Sequence, residues 1–161
     1  MKFKIMTVRI ATALALLVII LLSTRPEAVS ARSARNGRLH VTKECPNYHG
    51  AAGDSCTITS SNLAEIKVGS KVFYDQAAGT PTGLLDSNVV LDAGAGNRAV
   101  GRCTVDLTTY LGVCTFSDGT GQFAGFSARV NVSPDPDPAH PHFHWDGTYS
   151  FDPEPDRGVE R

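Results

Sequence analysis

The segment 135–146, Asp-Pro-Asp-Pro-Ala-His-Pro-His-Phe-His-Trp-Asp, holds the densest set of metal-ligating side chains in the sequence. His140, His142 and His144 recur at every second position, with Asp146 in the same phase. In an extended chain that period points all of them to one side, where neutral imidazole nitrogens suit zinc, copper or nickel. The competing structural picture is a proline-stiffened exposed loop whose imidazoles are simply hydrated, or which captures metal adventitiously. A pH-sensing role for these histidines needs a two-state element, and the sequence shows none.

A second group of side chains suits acid/base work inside an apolar cavity, where burial shifts pKa values and a few polar groups orient a ligand. Tyr74, Arg102, Asp106 and Arg129 are the candidates. Tyr74 shares a strand face with Val72, so it is expected to line the interior, either packed into the core or in contact with a ligand. Arg102 and Asp106 alternate with Cys103 and are expected outside, as an exposed ion pair. Phe143 and Trp145 are read as plugging a barrel mouth. No catalytic residue is assigned. Phosphate binding by Gly119-Thr-Gly121 lacks a following helix and a lysine, and no serine sits in a G-x-S-x-G elbow. Asn131-Val-Ser133 matches a glycosylation sequon, weakened by Pro134 directly after it.

Four cysteines allow three pairings. Cys45 with Cys56 and Cys103 with Cys114 have the same separation of 11 residues. The first pair would close the turn-rich stretch 46–55. The second would lie directly opposite in a hairpin centred near Thr108 and Thr109. A four-thiolate zinc site has no C-x2-C knuckle, and an even cysteine count in an exported chain is most simply oxidised.

These side chains must be carried by elements, and the first 31 residues are not among them. Lys2, Lys4 and Arg9 precede an apolar run of 13 residues, Ile10 to Leu22, and Val29-Ser-Ala31 offers a small-residue cut site. That is the order of a secretory signal, and the run falls short of the roughly 20 apolar residues a spanning helix needs. A secreted, extracytoplasmic product with no stable membrane anchor after cleavage is expected. Trimming it leaves 11 basic and 15 acidic side chains, a net charge of −4. Such a balance excludes a nucleic-acid binder, which needs basic excess to neutralise phosphates. The remaining chain divides into an N-terminal extension and disulfide loop at 32–55, one domain at 56–152 and an acidic tail at 153–161.

From Ser55 onward no helical stripe of useful length occurs, and short alternating runs are separated by Gly, Asp, Asn and Thr. In Asn97–Leu107, Ala99, Gly101, Cys103, Val105 and Leu107 share one face. Arg98, Arg102, Thr104 and Asp106 share the other, with Val100 as the apolar exception. Leu84–Asp92 pairs with this run through the glycine-bearing turn 92–97. Gly112–Phe116 continues the sheet, and Ser117–Gly121 is read as a turn before a long strand from Gln122 to Val132. Cys56–Thr59, Ser70–Asp75 and Thr148–Phe151 complete the set, while 62–68 reads equally as a helical turn or a strand start. Sequential strands with short links, about seven or eight by this count, suit an up-and-down barrel or a sandwich. Because closure removes aggregation-prone edges, the expectation is an all-β, antiparallel closed barrel of about eight strands, stapled by disulfides.

The order Val68-Gly-Ser-Lys-Val-Phe-Tyr74, a glycine-marked hairpin, then Gly119-Thr-Gly-Gln-Phe-Ala-Gly125 leading into Ser127-Ala-Arg-Val-Asn-Val132 resembles the allene oxide cyclase and dirigent barrel superfamily, in particular small secreted bacterial proteins with that barrel domain. The resemblance spans about residues 56–151. It implies an eight-stranded barrel, often oligomeric, whose interior holds a hydrophobic small molecule and steers its cyclisation or coupling. No position here matches a family active-site motif, so no catalytic residue carries over, and fold likeness does not transmit activity.

Three functional classes follow. The first is a secreted barrel that binds an apolar small molecule or a partner without turnover. The second is a cyclase or dirigent-like protein that positions a reactive hydrophobic intermediate. The third is a structural module assembled through barrel faces, and self-association into a homo-oligomer fits all three. None calls for a cofactor. The interior discriminates between them: a cavity of roughly 300 Å3 or more, apolar but with at least two converging polar groups, favours chemistry, whereas a filled interior leaves docking or structure.

Overall fold

The computed structural model describes residues 35–79, 82–136 and 142–152. The chain separates into Met1–Ser30 and Ala31–Arg161, and every described residue belongs to the second unit. The expected leader at 1–31, the expected acidic tail at 153–161 and His140 lie outside the described residues.

Eight antiparallel strands close into a barrel in sequential order: β1 (Arg35–Asn47), β2 (Ser55–Ser61), β3 (Lys71–Tyr74), β4 (Leu84–Asp92), β5 (Arg98–Asp106), β6 (Leu111–Thr120), β7 (Phe126–Pro134) and β8 (His142–Phe151). β8 pairs with β1 from Arg35↔Phe151 to Glu44↔His142, so the sheet has no free edge. Alternation builds each wall. In β5, Ala99, Cys103 and Val105 are buried while Arg98, Arg102, Thr104 and Asp106 face solvent, the pattern read from the sequence. The inward rows of all eight strands supply the interior side chains, chiefly Val, Leu, Ile and aromatics.

The two ends differ. At one, Phe123, Phe126 and Phe151 form a chain of ring contacts with centroids 5.3 and 5.1 Å apart. Phe116 continues it to Trp145 at 5.4 Å. Phe123 arrives there on a single 3-10 turn, Gly121–Phe123, between β6 and β7. Gly121 at φ +61° and Gly125 at φ +70° adopt the left-handed backbone that lets this turn fold inward. The glycine-rich stretch 119–125 thus seats an aromatic plug. The opposite end carries the β1–β2, β3–β4, β5–β6 and β7–β8 connections and opens into a cavity.

Both expected disulfides are formed. Cys103 and Cys114 are register partners across β5 and β6, with Cα atoms 4.1 Å apart, and Cys45–Cys56 joins β1 to β2.

Several boundaries move. Residues 35–47, expected as part of an N-terminal extension, are a full barrel strand, so the barrel begins well before residue 56. The expected turn at 117–121 is instead the end of β6. A bulge between Val100 and Gly101 absorbs the odd residue while Asp118, Gly119 and Thr120 still pair with β5. β7 starts at Phe126 rather than Gln122. β8 starts at His142 rather than Thr148, so 142–146 is sheet and not an exposed loop. Residues 62–70 form turns that tuck Leu63 and Ile66 into the plugged end.

Candidate functional site

On β1 the inward row runs Leu39, Val41, Lys43. The outward row is His40, Thr42, Glu44, and these three face Asp146, His144 and His142 across the β1–β8 pairing. Because that polar ladder fixes the register, the Lys43 side chain falls on the inward row and enters the barrel, 4% exposed. The β1–β2 register slips between Thr42 and Lys43, opening the strand where the longer side chain turns inward.

Inside, Lys43 Nζ donates a hydrogen bond to Tyr74 Oη at 2.5 Å. The Nζ also lies 4.8 Å from the Trp145 ring centroid, 5.2 Å from that of Tyr74 and 5.9 Å from that of Phe143. Among the described residues, no carboxylate pairs with it. Ring faces attract an ammonium by about 0.5–2 kcal/mol each. That is less than the loss of hydration of an unpaired buried charge. Burial therefore lowers the Lys43 pKa from 10.5 to about 7, placing neutral amine and ammonium in comparable amounts at neutral pH. Burial, with a smaller contribution from the neighbouring Tyr48, pushes Tyr74 well above the ordinary phenol value, so its hydroxyl keeps its proton.

These two groups stand in the wall of a half-enclosed cavity of about 750 Å3 at the open end of the barrel. Its apolar lining comes from Leu85 on β4, Val105 on β5, Val132 on β7 and Phe143 on β8. Tyr48, on the β1–β2 connection, packs edge-on against Tyr74 at 5.2 Å. The Tyr48 Oη is shielded from solvent with no hydrogen-bond partner among the described residues. Its pKa is raised by burial and by the Asp54 carboxylate. His49, Asp135 and His142 stand among the cavity's polar residues. An apolar chamber of this size with a donor pair in its wall has the composition of a small-molecule site. A neutral amine next to a protonated phenol can accept a proton, donate one, or attack an electrophilic carbon.

The residues singled out from sequence are distributed differently. Tyr74 is inside and lines the cavity as expected, 3% exposed. Arg102 is outside, but its partner is Asp86 on β4 rather than Asp106: Nε and Nη2 donate to the two carboxylate oxygens at 2.8 and 2.6 Å. Strand geometry explains the exchange. Asp106 ends β5 and accepts from the Thr108 and Thr109 backbone N–H groups, holding the β5–β6 turn. Arg129 is exposed on β7, away from the cavity. His144 sits on the outer face of β8, its Nε2 3.5 Å from Asp135 and its Nδ1 3.4 Å from Thr42 Oγ1. The His142 Nε2 lies 3.0 Å from Glu44, and His40 pairs with Asp146 one rung further along. Among the described residues no three His, Cys, Asp or Glu side chains converge on one point. Phe143 lines the mouth against Tyr110, centroids 5.7 Å apart, whereas Trp145 lies deeper, between plug and cavity.

Sequence reasoning missed Lys43 and Tyr48. The signal for Lys43 was its phase: it stands two residues after Val41 and four after Leu39, on what proves to be the buried row. No family model, no curated protein and no solved structure matches this chain.

Proposed function

We propose that this protein is an extracytoplasmic barrel module that holds an apolar small molecule in its open end, with the polar group of that molecule against Lys43 and Tyr74. The observation that carries the reading is the joined pair of Lys43 Nζ and Tyr74 Oη beside a largely apolar cavity of about 750 Å3 that both residues line. The two disulfides are compatible with an extracytoplasmic location. Tyr48 Oη adds a third donor in reach of a bound acceptor. A second reading, steering the cyclisation or coupling of a reactive hydrophobic intermediate, is favoured by the same convergence of two polar groups. The sequence resemblance to allene oxide cyclase and dirigent barrels agrees with it.

Binding is tested with a solvent-sensitive apolar dye and its displacement by medium-chain alcohols. A single saturable site is expected, weakened at least tenfold when Val105→Trp fills the cavity. Folded protein that shows no saturable uptake of any apolar probe would overturn the proposal. Native mass spectrometry of protein taken from its own host identifies the class of molecule retained.

A further inference from the structure

We propose that Lys43 is a carbonyl-capturing amine, forming a Schiff base with an aldehyde carried by an apolar molecule in the cavity. This deepens the binding reading above and rests on it. Three features of the molecule point the same way. A buried lysine in a structural role is ordinarily paired with a carboxylate, yet among the described residues Lys43 meets only a phenol and three rings. Lys43 is among the residues that line the cavity, so a ligand held there lies beside it. The apolar lining disfavours the charged ammonium relative to the neutral amine and to a neutral imine, so the lowered pKa supplies neutral amine at neutral pH.

Tyr74 completes the chemistry. The Nζ lone pair adds to the aldehyde carbon while the carbonyl π electrons move to oxygen. The phenol gives its proton to that oxygen and takes one from the new N–H, leaving a neutral carbinolamine. In the second stage the phenol protonates the hydroxyl, the C–O bond breaks and water departs. The iminium proton then returns to the phenolate, so the sum is amine plus aldehyde giving imine plus water, with no redox change and no cofactor. Burial keeps the Tyr74 hydroxyl protonated and therefore able to start both stages.

The groups that face the amine are Tyr74 on β3, Phe143 and Trp145 on β8, and Tyr48 beyond β1, with His49, Asp135 and His142 also lining the cavity. The titratable ones among them set the controls needed. The disulfide-intact full chain is incubated with decanal and sodium cyanoborohydride across pH 5.5–9, then analysed by intact mass and peptide mapping. Decanol and decanoate are assayed in parallel as dye competitors.

The expected result is one decyl addition at Lys43, appearing with a midpoint near pH 7 and suppressed by decanol, with the exposed Lys67 and Lys71 modified at least tenfold more slowly. Lys43→Met and Lys43→Arg each abolish the addition, and Tyr74→Phe slows it at least tenfold at saturating decanal. If the variants do not fold, the wild-type pH profile and its suppression by decanol still decide. Addition confined to surface amines overturns the proposal. So does decanoate binding without capture of decanal, which makes Lys43 an anchor for carboxylates. Decanol binding without capture removes the Schiff base and leaves the binding reading intact. Failure of both removes both.

Discussion

Lys43 and Tyr74 belong to strands that are not neighbours: β1 and β3 are separated by β2, and the two side chains meet inside the barrel at 2.5 Å. The contact therefore reports on the curvature of the wall as well as on the site. It also ties the shortest strand, β3, to the strand that closes the barrel.

The first prediction concerns stability against pH. The Lys43 pKa is about 7 in the folded protein against 10.5 when unfolded, so between those values the unfolded chain binds the extra proton. Stability from this group then rises with pH above about 7 and is flat below it, at up to about 1.4 kcal/mol per pH unit. Urea midpoints should increase from pH 7.5 to 9.5 in the wild type, and Lys43→Met should remove that rise. A parallel rise in both proteins would place the effect on other groups.

A second prediction uses Trp145, the chain's single tryptophan, which is fully buried with its ring beside the Lys43 amine. Its fluorescence should titrate with a midpoint near pH 7, and the step should vanish in Lys43→Met. Persistence of the step in Lys43→Met would show that it does not come from the amine.

The disulfides should separate stability from binding. Each closes a loop of 11-residue separation, which the chain-entropy model values at about 3 kcal/mol. Cys103→Ala with Cys114→Ala is expected to cost about that much in urea unfolding and leave dye affinity within twofold. Cys45→Ala with Cys56→Ala should also weaken the dye at least fivefold, because it frees the connection that bears Tyr48. Equal effects on affinity would refute the division.

The plugged end gives a fourth test. Phe123→Ala, at a fully buried ring, should cost about 3–5 kcal/mol. Gly121→Ala forces a side chain onto backbone at φ +61° and pushes against Asn97 Oδ1, which holds the Gln122 N–H, and should cost about 1–3 kcal/mol. Dye affinity at the opposite end should be unaffected by Gly121→Ala, as measured by titration.

Much of the wall was legible in the sequence because alternation is a local property. Leu84–Asp92 was read to the residue, and the eleven-residue spacing of Cys103 and Cys114 located a turn that brings them opposite each other. β1 was not legible, and for a physical reason: two apolar residues, Leu39 and Val41, are followed in phase by a lysine, which normally marks the solvent side. The charge that makes the site disguised the strand that carries it. The His-rich segment was legible in its period but not in its partners. Its two-residue period was correctly extended, but the partners that occupy His142 and His144 come from β1 and the start of the β7–β8 connection, distant or unordered in a one-dimensional reading. The same limit applied to Arg102, whose carboxylate lies 16 residues earlier on the adjacent strand.

The seam between β1 and β8 joins side chains as far apart as Thr42 and His144, 102 positions along the chain. Nascent polypeptide emerging from a ribosome therefore carries its amine uncovered, its first hairpin unsealed, until the last ten-residue stretch arrives. Until β8 pairs with β1 and β7 the sheet keeps two open borders, and the amine lacks the Phe143 and Trp145 rings that later flank it.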